Sequence, residues 1–309
     1  MSEITPKLGK DKSYVDSIWP VVGCLTEIED ALDKRFTWLQ QDDPFRFHIA
    51  CSLIGHEEVR KLLESGELLS IASEDSREIN AFLKEYGSGQ SIHDFEPFAS
   101  EDEYRVATAS RLCCQTRWEG METSIIDEGG DRYLGFWVEA SLRHRGGPYN
   151  IGPEWWIEIT GTEFDILIWE PDLLSRLGNK TDGEIIDVSV PCASIACDND
   201  MSWLVGKNGN FMGPVKTLSG RMFGLEGMNQ IEVEQAVQTS MFDMDDKGAS
   251  VRAVAAVEFC LGTGCCSLPR KRHVIVDRPF HMHAIRGKMP QALMYGWLAQ
   301  DSWRAYDEG

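Results

Sequence analysis

Basic side chains are scarce in this chain: 30 Lys and Arg stand against 50 Asp and Glu, a formal charge of −20. A surface so acidic repels nucleic-acid phosphates and anionic lipid headgroups, so neither nucleic acid nor a membrane is expected as a partner. Long apolar runs are missing too. No stretch approaches the roughly 18 consecutive apolar residues of a helical membrane span, and no apolar run follows the lysines of the opening MSEITPKLGKDKSYVDS. A secretory leader is therefore not expected. The nine cysteines are an odd number, with adjacent pairs at Cys113-Cys114 and Cys265-Cys266 and no repeated CxxC spacing. That pattern fits reduced thiols better than a disulfide frame or a zinc site, and places the chain in the cytoplasm with export by another route left open. On that reading the sequon Asn179-Lys180-Thr181 carries no meaning.

An enzyme's constellation is lacking as well. His281 and His283 stand two apart, on one face if their segment is a strand, but no carboxylate or cysteine accompanies them at ligand spacing. No metal and no cofactor are expected. A nucleophile at Cys265 or Cys266 would need a histidine held beside it, and a glycine-bearing loop supplies no rigid scaffold for one.

What the chain does have is 42% hydrophobic residues with ten Trp, enough for a sizeable core, and one stretch of strict alternation. From Ala249 to Cys260, Ala249, Val251, Ala253, Ala255, Val257 and Phe259 fall on one face, while Ser250, Arg252 and Glu258 fall on the other. Such a period suits a strand with one face on a core, because successive strand side chains point to opposite sides. No partner strand follows. Gly262-Thr263-Gly264-Cys265-Cys266-Ser267-Leu268-Pro269 and the basic Arg270-Lys271-Arg272 have the composition of an exposed loop. A strand-competent segment joined to an exposed loop reads as a strand awaiting insertion.

Asp245-Asp246-Lys247-Gly248-Ala249-Ser250-Val251-Arg252-Ala253-Val254-Ala255-Ala256 resembles the hinge of the serpins, and Val276-Asp277-Arg278-Pro279-Phe280 with Leu293-Met294-Tyr295-Gly296 resembles that family's closing strands. Upstream, Tyr104 to Trp118 resembles the serpin strand that ends in a tryptophan where the inserting strand enters the main sheet. Trp155 to Gly161, Phe164 to Pro171 and Ile185 to Pro191 resemble further serpin strands, Leu218-Ser219-Gly220 a family Phe-Ser-Gly, and Ile231 to Met244 the strand leading into the hinge. By helical spacing, Cys24 to Leu32, Glu57 to Leu69 and Ser76 to Tyr86 are expected as helices and Phe45 to Cys51 as a strand.

The resemblance implies a serpin-like α+β fold with three β-sheets, about eight helices and an exposed reactive loop. It points to a shortened, prokaryotic-type member, with residues 1–12 a disordered tail and 13–309 one domain. It also implies a function: not an enzyme but a suicide substrate for a serine or cysteine endopeptidase, whose cleaved loop enters the central sheet. The hinge would be Asp246, Gly248, Ala249, Ser250, Val251, Ala253 and Ala255. The cut bond would lie among Gly262, Thr263, Cys265, Cys266 and Leu268, and Trp118, Ser110 and Gln238 would stand at strand entry and sheet control. Ser110 and Gln238 replace the family's usual Asn and His there, so a polar pair between them is a possible substitute. The rival implication is a non-inhibitory serpin acting as a chaperone, binding protein or cleavable sensor.

Overall fold

The computed structural model describes residues 12–31, 52–86, 89–100, 103–118, 120–144, 154–199, 201, 236–252, 272–287 and 289–306. In chain order the elements are β1 (Tyr14–Asp16), α1 (Trp19–Ala31), α2 (Glu57–Ser65), β2 (Leu68–Ser73), α3 (Ser76–Glu85), β3 (Phe98–Ser100), β4 (Glu103–Tyr104), β5 (Ala107–Arg117), β6 (Gly120–Glu128) and β7 (Asp131–His144). There follow β8 (Trp155–Ile159), β9 (Asp165–Trp169), α4 (Pro171–Arg176), β10 (Ile185–Pro191), β11 (Ala193–Asp198), β12 (Thr239–Asp245), β13 (Gly248–Arg252), β14 (Arg272–Ile275), β15 (Phe280–Ile285), β16 (Met294–Leu298) and a 3-10 turn, Gln300–Ser302.

Alternation decides how the strands lie. In β12, Ser240, Phe242 and Met244 are buried and their neighbours half-buried; in β15, Phe280, Met282 and Ala284 are buried between half-buried histidines. Each strand therefore turns one face to a common core. A nine-stranded sheet runs β1-β16-β15-β9-β8-β7-β10-β14, with β6 also paired to β7, and a five-stranded sheet runs β11-β12-β13-β5-β2. Leu112, Phe242 and Val251 of the smaller sheet join Phe136, Ile157, Ile166, Met282 and Met294 of the larger in one buried cluster, together with Trp19, Val22 and Leu25 of α1.

The α+β class is as the sequence implies, but the count of elements is not. Among the described residues there are four α-helices and two large sheets with a two-stranded ribbon, β3-β4, rather than eight helices and three sheets. The merging has a cause in β7, which is 14 residues long. Gly135 to Ser141 pair with β10 and the last four residues, Ser141 to His144, with β8, so two sheets expected to be separate share one strand.

Local signals set the element ends. The helix expected over Glu57 to Leu69 stops at Ser65, because Gly66 takes the left-handed conformation (φ 75°) and returns its N–H to the Leu63 carbonyl; Leu68 and Leu69 then open β2. Helix α1 starts earlier than its apolar spacing implies, with Pro20 in its first turn where a missing N–H costs nothing. The Phe45 to Cys51 strand, Leu218-Ser219-Gly220 and residues 231–235 lie outside the described residues, while the rest of Ile231 to Met244 leads into β12 as the resemblance implies.

Candidate functional site

The segment expected as a hinge forms a hairpin with the strand before it. After β12, Asp246 and Lys247 make an exposed turn closed by the Lys247 N–H on Asp245 Oδ1 at 2.9 Å, and β13 begins at Gly248. Gly248 passes so close to β5 that a Cβ would lie 2.1 Å from the Thr116 carbonyl oxygen, and its φ is +153°. Only glycine fits there. Trp118 closes the same end: its indole N–H donates to the Asp245 carbonyl at 3.1 Å, and its ring stacks on Phe136 with centroids 5.9 Å apart.

From Gly248 to Arg252, β13 lies between β12 and β5, antiparallel to both. Ala249 faces Met244 and Thr116; Val251 faces Phe242 and Cys114. Ala249 is 5% exposed and Val251 fully buried, both in the main core, so these two inward positions stand where the alternation puts them. Ser250, on the other face between Asp243 and Gln115, is also buried, and its Oγ has no hydrogen-bond partner among the described residues. The alternation reads this face as solvent; the structure covers it. Ser250→Arg is therefore expected to cost at least about 2 kcal/mol, the penalty of burying a charge without a partner, against near zero for an open face. Urea unfolding of the variant checks this.

Strand β5 is held from behind. The Thr116 hydroxyl donates to the Phe164 carbonyl at 2.8 Å and accepts the N–H groups of Glu163 (3.2 Å) and Phe164 (3.3 Å). Gly161, in the same turn between β8 and β9, has no room for a Cβ, which would fall 2.0 Å from Thr116 Oγ1. Next to it, Arg286 grips Glu67 with two guanidinium N–H groups, at 2.7 and 2.6 Å, and donates its Nε–H to the Glu163 carbonyl at 3.1 Å. The guanidinium holds the Glu67 carboxyl below its ordinary range, and burial beside this carboxylate pushes the Cys114 thiol up, which makes it a poor nucleophile. Cys24 is likewise raised, to about 11, chiefly by burial.

Ser110 and Gln238 do not meet. The Ser110 hydroxyl accepts from Ser70 at 3.0 Å, and the pair crowds α1 where Gly23 lacks a side chain. The Gln238 amide donates instead to the Ser17 carbonyl at 2.6 Å. The polar pair considered as a substitute for the family's cluster is absent because each residue is satisfied on its own side. Ala253, Ala255, Gly262, Thr263, Cys265, Cys266 and Leu268 lie outside the described residues.

His281 and His283 share a face of β15, but their neighbours are rings. His281 lies against Trp169 (4.9 Å, nearly parallel) and Trp297 (4.6 Å), and His283 against Trp156 (5.1 Å). Burial lowers the pKa of His281 to about 4 from 6.5. The sign follows directly: the unfolded chain takes up this proton below pH 6.5 and the folded chain does not, so the neutral ring's contribution is complete above 6.5 and is lost as pH falls toward 4. The loss is expected to be on the order of 2 kcal/mol. Urea unfolding at pH 7 and 4.5 of the natural chain and His281→Phe checks it, the variant losing less on acidification.

Sequence patterning missed Glu67, Thr116, Gly161 and Arg286. Each is an ordinary residue for its element, and only the fold brings them together, Arg286 and Glu67 being 219 positions apart.

No family model matches the chain, and no curated protein matches it in sequence. Solved structures do. Serpin 42Da in its cleaved form is 11% identical over 97% of this chain and 94% of its own, with a TM-score of 0.52. A thermophilic serpin, tengpin, in the latent state is 12% identical, with 94% and 93% covered and a TM-score of 0.53. At such identities the likeness is one of fold: the chain has the serpin fold.

Proposed function

We propose that this chain, folded as a serpin, is a suicide-substrate inhibitor of serine or cysteine endopeptidases. The protease attacks a peptide bond between Gly262 and Leu268 and becomes acylated, the amine leaving with the C-terminal piece. The segment after β13 then enters the five-stranded sheet and draws the tethered protease away before water releases it. Cys265, Cys266 and Leu268 suit a small or apolar specificity pocket, which favours an elastase-like or cysteine protease over one that cuts at Arg270-Lys271-Arg272.

The observation that carries this reading is β13 itself, bonded to strands on both sides with Ala249 and Val251 in the core. The cleaved and latent states of the similar serpins support it. Continued by three residues in the same register, Ala255 would lie opposite both Ser110 and Gln238, and the positions still to be buried on the inward face are Ala253, Ala255, Val257 and Phe259. None is charged, and the two larger ones would each gain about 1.5–3 kcal/mol on full burial.

The test is a single nick between Cys260 and Leu268 followed by a melting curve. The midpoint is expected to rise by about 10 °C, given some 2–4 °C per kcal/mol for a chain of this size class. An unchanged or lower midpoint removes insertion and leaves a non-inhibitory serpin acting as a chaperone, binding protein or cleavable sensor.

A further inference from the structure

The slot that holds β13 has two walls, and each is fastened to the nine-stranded sheet by bonds in which Gly248 to Arg252 take no part. On the β5 wall, Thr116 is tied to the Glu163–Phe164 backbone, the Thr162 N–H donates to the Arg117 carbonyl at 3.1 Å, and the Cys113 N–H donates at 2.7 Å to Glu67, whose carboxylate Arg286 grips. On the β12 side, the Cys197 thiol and the Asn199 amide both donate to the Val15 carbonyl, at 3.1 and 2.8 Å. Gln238 donates to the Ser17 carbonyl, and the Arg304 N–H to the Cys192 carbonyl at 2.9 Å.

Closing the slot would bring β5 against β12, a shift of one strand spacing, about 4.8 Å. No hydrogen bond survives such a displacement, so one wall would have to abandon its whole set. Leaving the slot open and empty would strand the backbone groups along both walls.

The uncut chain can keep the slot filled. Residues 253–271 separate Arg252 from Arg272, which is held on β14 beside Ile186. Those 20 steps reach about 66 Å when extended. The route through the sheets, from Arg252 back to Ala249, across Met244 to Ala193 and along β10 to Arg272, is only about 48 Å by strand rise and spacing, and the straight line is shorter. No cut is needed for β13 and β14 to be in place together.

We propose that the hinge is resident in the sheet in the uncut chain as far as Arg252, and that the Arg286–Glu67 pair is the positioning contact that keeps the β5 wall one strand-width from β12. Cleavage then drives insertion from Ala253 onward, not from Gly248. This rests on the fold and the fastened walls and does not require that the chain inhibit a protease.

Hydrogen–deuterium exchange on the intact protein, its uncut state confirmed by mass, tests the proposal. Backbone amides of Gly248 to Arg252 are expected to exchange at least about a thousandfold more slowly than an unstructured chain, comparably to β10. In Glu67→Gln the same amides should speed up by tenfold or more while β8 and β10 stay unchanged. Hinge amides that exchange at the unstructured rate in the natural chain overturn residency; a protected hinge that Glu67→Gln leaves unaltered overturns the role given to the ion pair. If Glu67→Gln unfolds the chain, seen as lost protection in β8 and β10, Arg286→Lys makes the same comparison, keeping the charge but not the two-pronged grip.

Discussion

Under the proposed mechanism, Ala249→Arg is expected to turn a trap into a plain substrate. Ala249 is 5% exposed, packed among Met244, Thr116 and the main core, and a guanidinium there would be buried without a partner at a cost of several kcal/mol. The uncut chain escapes this cost by letting residues 248–252 leave the slot, so trapping must bring the guanidinium back in, and a penalty of about 3 kcal/mol for that corresponds to roughly a hundredfold shift in the partition between trapped and released protease. Titrating a susceptible protease with the variant and counting molecules consumed per enzyme inactivated measures that shift. Asp246→Arg, in the exposed turn, should inhibit as the natural chain does. Equal damage from both would mean that the strand does not sit in the register described.

Gly248→Val should be nearly as severe, for a reason of space rather than charge. Its Cβ would lie 2.1 Å from the Thr116 carbonyl and 3.0 Å from Arg117 Cα, both backbone, so neither can rotate aside. The variant must push β13 off β5 or move β5 against Thr116 and its knot, and a loss of about 3 kcal/mol or more in urea unfolding is expected. Gly129→Ala supplies the contrast: that glycine also has positive φ, +66°, but meets nothing within 4 Å. It should lose only about 1 kcal/mol from the backbone conformation. If the two variants lose the same, the close approach at Gly248 is not what the glycine serves.

The alternation that opens at Ala249 is the most legible feature of the chain, because a period of two survives in sequence wherever one face of a strand meets a core. Ala249 and Val251 bear that out. The same period misjudged Ser250, since alternation tells which residues share a face but not whether the opposite face is covered. The glycine at 248 and the tryptophan at 118 were readable through the family resemblance, and the structure gives each a physical reason, a close approach and a hydrogen bond across the turn. The fastening of β5 was not readable. Thr116 looks like any strand threonine, and Glu67 and Arg286 look like any exposed pair of opposite charge, until the chain is folded. Sheet number escaped for a related reason: nothing in the residues of β7 marks the point at Ser141 where pairing passes from β10 to β8.

The proposed trap has a covalent signature, since the protease it catches stays bonded to the cleaved chain. Electrophoresis after boiling in detergent of the protein incubated with an elastase-like or cysteine protease detects it, with mass spectrometry of the small fragment that separates. A band at the combined mass of protease and cleaved chain is expected, with a C-terminal fragment that begins between Thr263 and Leu268. Cleaved chain beside free, fully active protease, or a fragment that begins at Lys271, Arg272 or His273, would contradict the proposed trap.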